Sequence, residues 1–138
     1  MPVLDSYLFF NGNCAEAMRF YERTLGGKLE ALMTYGDSPE PEKCPAGAKD
    51  LVMHASLRID GRALMASDSP PGYPPSTMGG FALSLNYDSP QEARRIFDAL
   101  SQGGSVTMPM QKTFWAETFG MLTDRFGTAW MVGGGQAA

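Results

Sequence analysis

The chain has 138 residues, 43% hydrophobic and 19% charged, with a formal net charge of −4. Such a length and composition suit one globular core and exclude a disordered or fibrous polymer. The acidic balance lacks the clustered Lys and Arg that a phosphate backbone requires, and no apolar run nears the ~20 residues that span a bilayer, so neither nucleic acid nor membrane is an expected partner.

The start, Met1-Pro2-Val3-Leu4-Asp5-Ser6, lacks the basic then apolar pattern of a secretory leader, and a cytoplasmic location is expected. Tyr7-Leu8-Phe9-Phe10 reads as a strand closed by Asn11-Gly12-Asn13. Asn13 is placed to cap a helix over residues 14–25, with Glu16 three positions on and Gly26-Gly27 as the stop. Residues 29–35 read as a second strand, and residues 36–50, rich in Pro, Gly, Glu and Lys, as a long loop. Strands over 51–59 and 62–67 are joined by Asp60-Gly61, the dipeptide of a tight hairpin turn. Cys14 and Cys44 lack ligand spacing, so both read as reduced thiols rather than as zinc ligands or a disulfide pair.

Residues 69–80, with Pro70-Pro71-Gly72 and Pro74-Pro75, can continue neither a helix nor a central strand and read as a connection. The same order of elements then returns: a strand over 81–86, a helix over 90–102 with Pro90 at its first position, Gly103-Gly104, and strands near 105–109, 118–123 and 128–132. Asn13-Cys14-Ala15-Glu16-Ala17 stands against Ser89-Pro90-Gln91-Glu92-Ala93, and both first helices end at a Gly pair, a repeat with a period of about 76 residues. The expected fold is therefore α+β: one domain of two βαβββ half-repeats, approximately 3–68 and 80–133, joined by a Pro/Gly-rich linker. One helix for four strands leaves a sheet face uncovered, so the halves are expected to form an incomplete barrel with a ligand on its concave face, and unpaired sheet edges favour a homodimer.

Several stretches taken together resemble the vicinal oxygen chelate superfamily of glyoxalases, bleomycin-resistance proteins and dioxygenases, and within it the PhnB-like subgroup. They are Tyr7-Leu8-Phe9-Phe10-Asn11-Gly12-Asn13 with Glu16-Ala17 and Phe20-Tyr21, Met53-His54-Ala55, Leu64-Met65-Ala66-Ser67-Asp68, and Asp124-Arg125-Phe126-Gly127-Thr128-Ala129-Trp130. The resemblance covers the whole chain. It implies four metal ligands, His, Gln or Glu, from the first and last strands of each half, with open positions for a bidentate substrate. Matching the motifs puts those positions at or within one residue of Ser6, Met65, Gly80 and Met131. Thioethers, a hydroxyl and a glycine are not donors for such an ion, so no metal and no other cofactor is expected.

His54, the one histidine, falls on the more polar face of its strand, where it could act as a general base or hold an anion. Asp68 ends the next strand, where a carboxylate can face a ligand or cap a turn. These two are the candidate catalytic pair, against the plainer reading of a structural histidine and a turn residue. Phe10, Tyr35, Met65, Phe114, Trp115, Met121 and Met131 are the candidate ligand cavity, since small-molecule pockets are mostly apolar with a few placed polar groups. Trp130 alternates against Met131 and should face the helix instead. The expected function is binding of a small, partly apolar molecule. The alternatives are a metal-dependent enzyme of the glyoxalase or dioxygenase type and a metal-independent enzyme using His54. A methyltransferase would need a doubly wound parallel sheet with a glycine-rich turn, which this order of elements does not make.

Overall fold

The computed structural model describes residues 2–37, 44, 46–75 and 77–136. The elements follow the repeat: β1 (Ser6–Phe10), α1 (Cys14–Leu25), β2 (Lys28–Thr34), β3 (Val52–Ile59), β4 (Arg62–Asp68), then β5 (Leu83–Tyr87), α2 (Pro90–Ser101), β6 (Ser105–Gln111), β7 (Thr118–Thr123) and β8 (Ala129–Gly134). Two compact units result, Met1–Thr77 and Met78–Ala138, and their boundary falls inside the predicted connection. Each holds a four-stranded mixed sheet, ordered β1-β4-β3-β2 in the first and β5-β8-β7-β6 in the second. The first and last strands of each unit are the parallel pair. Neither sheet closes on itself.

Amphipathic alternation decides which face the helix covers. In unit 1, Leu8 and Phe10 of β1, Ala55 and Leu57 of β3, and Leu64 and Ala66 of β4 are buried together with Ala17, Met18 and Tyr21 of α1. In unit 2, Trp130 and Val132 of β8 and Leu122 of β7 are buried with Ala93, Ile96, Phe97 and Leu100 of α2. Trp130 thus faces the helix as its alternation predicts, and its indole Nε1 donates to Asp124 Oδ2 at 2.8 Å, which satisfies the one polar atom a buried indole carries.

Three strands differ by two residues from the sequence reading, the other elements by one at most. β5 begins at Leu83 rather than at residue 81, and Phe81 is left exposed. β6 runs through Pro109 to Gln111, which is tolerated because β6 is the edge of its sheet, where a missing N–H costs no ladder bond. β8 extends to Gly134. The predicted loop 36–50 lies partly outside the described residues. Its start is a 3₁₀ turn over Tyr35–Asp37, and Tyr35 and Gly36 donate to the carbonyls of Leu51 and Lys49. The Asp60-Gly61 hairpin forms as expected, with positive φ at both residues, 45° and 84°.

The two helices start by different chemistry. Ser89 caps α2 in the ordinary way, its hydroxyl accepting from Glu92 N–H at 3.2 Å, with Pro90 behind it. Asn13 occupies the corresponding position of α1 but makes no side-chain cap bond. Asp68 supplies the acceptor from the end of β4: its Oδ1 accepts from Gly12 N–H at 2.8 Å and Cys14 N–H at 3.0 Å, and its Oδ2 from Val52 N–H at 2.9 Å. The register makes Gly134 the counterpart of Asp68, since Phe10 pairs with Asp68 and Tyr87 with Gly134. There a Cβ would stand 2.6 Å from Ala93 Cβ and 2.9 Å from Ser89 O. With α2 capped by its own serine, the strand needs no side chain and has no room for one.

Cys14 lies fully buried at the start of α1, and neither cysteine forms a disulfide. Burial, and then the neighbouring Asp68 carboxylate, push the Cys14 thiol up to about 12. At pH 8 that leaves a thiolate fraction of about one in ten thousand. Folded protein exposed to iodoacetamide at pH 8 is therefore expected to alkylate at Cys44, which is partly exposed, and to take up a second label at Cys14 only in denaturant. Mass spectrometry of the labelled chain checks this, and equal labelling of both thiols in the native protein would refute it.

Candidate functional site

Each helix covers one face of its sheet, so the other face is the place to look for a site. In unit 1 the register aligns Tyr7, Met65 and Ser56 in one cross-strand row. A second row runs from Phe9 and Ser67 to His54, one step beyond the Ala55–Ala66 pair, and on to Met33. Tyr7, Phe9 and Met33 are exposed. The Tyr7 hydroxyl lies 3.2 Å from His54 Nδ1, with ring centroids 5.8 Å apart, and the Tyr7 and Phe9 rings lie 5.2 Å apart. The outward face of unit 1 thus carries an aromatic and thioether surface with one phenol–imidazole pair on it.

Beside this face, at the C-terminal ends of β1 and β4, a cavity of about 440 Å³ is lined by Phe9, Tyr35, Ser67, Asp68, Pro70 and Tyr73 among others. Burial, and then the nearby Tyr7, Asp68, Tyr73 and Cys44, raise the Tyr35 phenol above its ordinary value, so at neutral pH it is a hydroxyl that can both donate and accept.

Of the candidate catalytic pair, His54 faces outward as its strand pattern implies. Asp68 is 2% exposed, and both of its oxygens accept backbone N–H groups. The partner that the structure brings to His54 is Tyr7. Asp124 plays a similar structural part in unit 2, accepting from Phe126 and Thr128 N–H and from Trp130.

Of the candidate cavity residues, Phe10 is on the helix side, 2% exposed, and its neighbours Tyr7 and Phe9 take the outward positions. Met65 is outward and partly buried. Tyr35 lines the unit 1 cavity. In unit 2, Ser84, Met131, Met121 and Met108 form one outward row, and Asn86, Gly133, Phe119 and Gln111 the next. Phe114 and Trp115 project from the β6–β7 loop, 90% and 50% exposed. A second cavity, of about 470 Å³, opens at the C-terminal ends of β5 and β8 and is lined by Asn86, Asp88, Trp115, Ala116, Gly133 and Gln136 among others. The sequence reading missed Tyr7, Phe9, Asn86 and Gly133. The repeat held a signal for three of them, because both cavities open where the parallel pair of a unit ends, and the pair Phe9–Ser67 of one corresponds to the pair Asn86–Gly133 of the other.

Residues 3–132 match the Glyoxalase/Bleomycin resistance protein/Dioxygenase superfamily. The chain belongs to that superfamily. Protein YjdN of Escherichia coli (strain K12) is 40% identical over 140 residues, covering 96% of this chain and 94% of that protein. Among solved structures, protein PA1353 from Pseudomonas aeruginosa is 54% identical with a TM-score of 0.91, covering 99% of both chains. A Bacillus cereus protein described as a putative 3-demethylubiquinone-9 3-methyltransferase, PhnB protein, is 23% identical with a TM-score of 0.80, covering 95% of this chain and 98% of that one, and shows the common fold.

Of the positions matched to the superfamily's ligands, Ser6 starts β1 and Met65 lies on β4, paired with Tyr7. Gly80 precedes β5, and Met131 of β8 pairs with Ser84. With the paired neighbours Tyr7 and Ser84 included, the side chains offer one phenol, two aliphatic hydroxyls and two thioethers. Zinc and the harder divalent ions take imidazole, carboxylate or thiolate donors, so this set does not fit a superfamily metal. Among the described residues, no three His, Cys, Asp or Glu side chains come together as a group that could hold a metal ion. No helix among them is long and apolar enough to cross a membrane.

Proposed function

We propose that this chain is a PhnB-like member of the superfamily that binds a small, partly apolar molecule on its outward sheet faces, works as a homodimer, and does so without the superfamily's metal. The side chains at and beside the matched ligand positions Ser6, Met65, Gly80 and Met131, with Tyr7 and Ser84 as strand partners, carry this reading. Thioethers and hydroxyls suit contact with an apolar molecule better than coordination. The likeness to the PhnB protein and to YjdN supports the subgroup. The dimer rests on the open edges at β2 and β6 and on the exposed aromatic residues of the outward faces.

A specific contact favours a second reading, a metal-independent enzyme. The Tyr7 hydroxyl and His54 Nδ1, 3.2 Å apart, form a pair that could pass a proton to or from a bound ligand.

One set of measurements separates these readings. Protein purified without a metal-affinity tag is expected to carry far less than one divalent ion per chain by elemental analysis. About one ion per chain, lost in Met65→Ala or Met131→Ala, would overturn the metal-free reading. Native mass spectrometry of fresh protein and a thermal-shift panel of quinones, α-keto acids and aromatic antibiotics identify the bound class. If His54→Ala keeps the thermal shift while abolishing conversion of that ligand, the enzyme reading replaces the binder. A subunit mass corresponding to a stable monomer would remove the dimer.

A further inference from the structure

The cavity of unit 2 differs chemically from that of unit 1. Trp115 forms one side, with half of its surface exposed. The indole is fixed from two directions, with the Phe119 ring centroid at 5.3 Å and an interplanar angle of 69°, and that of Phe114 at 4.8 Å and 82°. Its loop is also fixed, since the Thr113 hydroxyl accepts from the N–H groups of Trp115 at 3.4 Å and Ala116 at 3.1 Å, and Thr113 N–H donates to Ala116 O. An aromatic wall held this way loses little freedom when a ligand stacks on it.

On the sheet side, Gly133 stands between Asn86 and Phe119, and a Cβ there would lie 3.2 Å from Asn86 Oδ1 and 3.5 Å from Phe119 Cδ2, so the two side chains close over the glycine and no side chain protrudes from this part of the lining.

The charges nearest the cavity are negative. Asp88 lines it, and the Glu117 carboxyl lies over Gly135, another lining residue, within about 3 Å of where a Cβ would be. None of the described lining residues is Lys or Arg. The guanidinium acting on the lining residue Tyr87 is that of Arg95, which is paired with Glu92 at 3.1 Å. An indole face and two carboxylates without a compensating cation favour a positively charged ring over a neutral or anionic one.

We propose that the unit 2 cavity is a binding site for a planar, positively charged nitrogen aromatic, stacked on Trp115 with its charge toward Asp88 and Glu117. This names the ligand class for one of the two outward faces and so rests on the small-molecule-binding reading.

Three probes of nearly the same shape test it at pH 8 by isothermal titration and by quenching of tryptophan emission: 9-aminoacridine, which is cationic there, acridine, which is neutral, and anthracene-9-carboxylate, which is anionic. The expected order of affinity is cation, then neutral, then anion. Trp115→Ala is expected to weaken 9-aminoacridine by about tenfold or more, and the double variant Asp88→Asn/Glu117→Gln to remove the preference over acridine while leaving acridine binding in place. Equal binding of cation and neutral probe, with no effect of the carboxylate variants, would overturn the ligand class while leaving a planar-molecule site on Trp115. Absence of binding by all three probes, or binding that Trp115→Ala leaves unchanged, would overturn the cavity as a site altogether.

Discussion

Asp68→Ala is expected to lower the stability of unit 1 by about 4 kcal/mol. The carboxylate accepts three backbone N–H groups from three separated places, Gly12 in the β1–α1 turn, Cys14 at the first turn of α1 and Val52 at the start of β3. Two of these bonds are buried, so without the acceptor those donors have no water to turn to, and each orphaned buried donor costs about 1–3 kcal/mol. The helix also loses an anion at its positive end. Asn13 does not take over as a cap, since its side chain makes no cap bond. Asp68→Asn should cost roughly half as much, because one amide oxygen still accepts while the NH₂ meets a donor. Urea unfolding gives both values, and amide exchange at Gly12, Cys14 and Val52 should accelerate ahead of the rest of the unit. A loss of less than about 1 kcal/mol for the alanine variant would mean that water or Asn13 replaces the carboxylate.

This use of Asp68 marks where sequence reasoning reached and where it stopped. The helix over 14–25 and the Asp60-Gly61 hairpin were legible because their determinants lie within a few residues of one another: a turn, an amphipathic run, a glycine stop. Asp68 acts across 54 positions of chain on Cys14, and nothing local to either residue announces the bond. Its place at the end of a strand was consistent with a cap or a ligand contact, and only the register, which puts Asp68 opposite Phe10, brings it to the helix start.

The phase of β1 was illegible for a different reason. Tyr7, Leu8, Phe9 and Phe10 are all apolar or aromatic, so alternation has no contrast from which to assign faces. The sequence therefore offers Phe10 for the cavity, while in the fold Tyr7 and Phe9 hold the outward positions and Tyr7 is the partner of His54. The Asn86–Gly133 pair is set by the register of β5 on β8, across 47 positions of chain, and nothing local to either residue announces it.

The repeat itself yields the second large effect. Each first helix is followed by two glycines, and the two members of each pair are there for different reasons. Gly26 and Gly103 have positive φ, 79° and 76°, with no backbone atom within 4 Å of an added Cβ, so alanine at either is expected to cost about 1 kcal/mol, the strain of a left-handed residue. Gly27 and Gly104 have no such φ, but the chain passes directly against the neighbouring strand or its turn. A Cβ on Gly104 would stand 2.2 Å from Thr123 O and 2.9 Å from Asp124 Cα, and one on Gly27 would stand 2.5 Å from Arg58 O. These obstacles are backbone, which can yield only by breaking the β6–β7 and β2–β3 pairings that set the sheet edges. Gly104→Ala is therefore expected to cost about 3 kcal/mol or more, Gly27→Ala somewhat less because part of its crowding is the movable Ile59 side chain, and both to exceed their positive-φ neighbours. Denaturant midpoints of the four single variants decide it. Should Gly103→Ala prove as damaging as Gly104→Ala, the glycine pairs would be conformational hinges rather than points of close approach, and their recurrence would report turn geometry shared by the two units rather than the tight passage of each chain behind its helix.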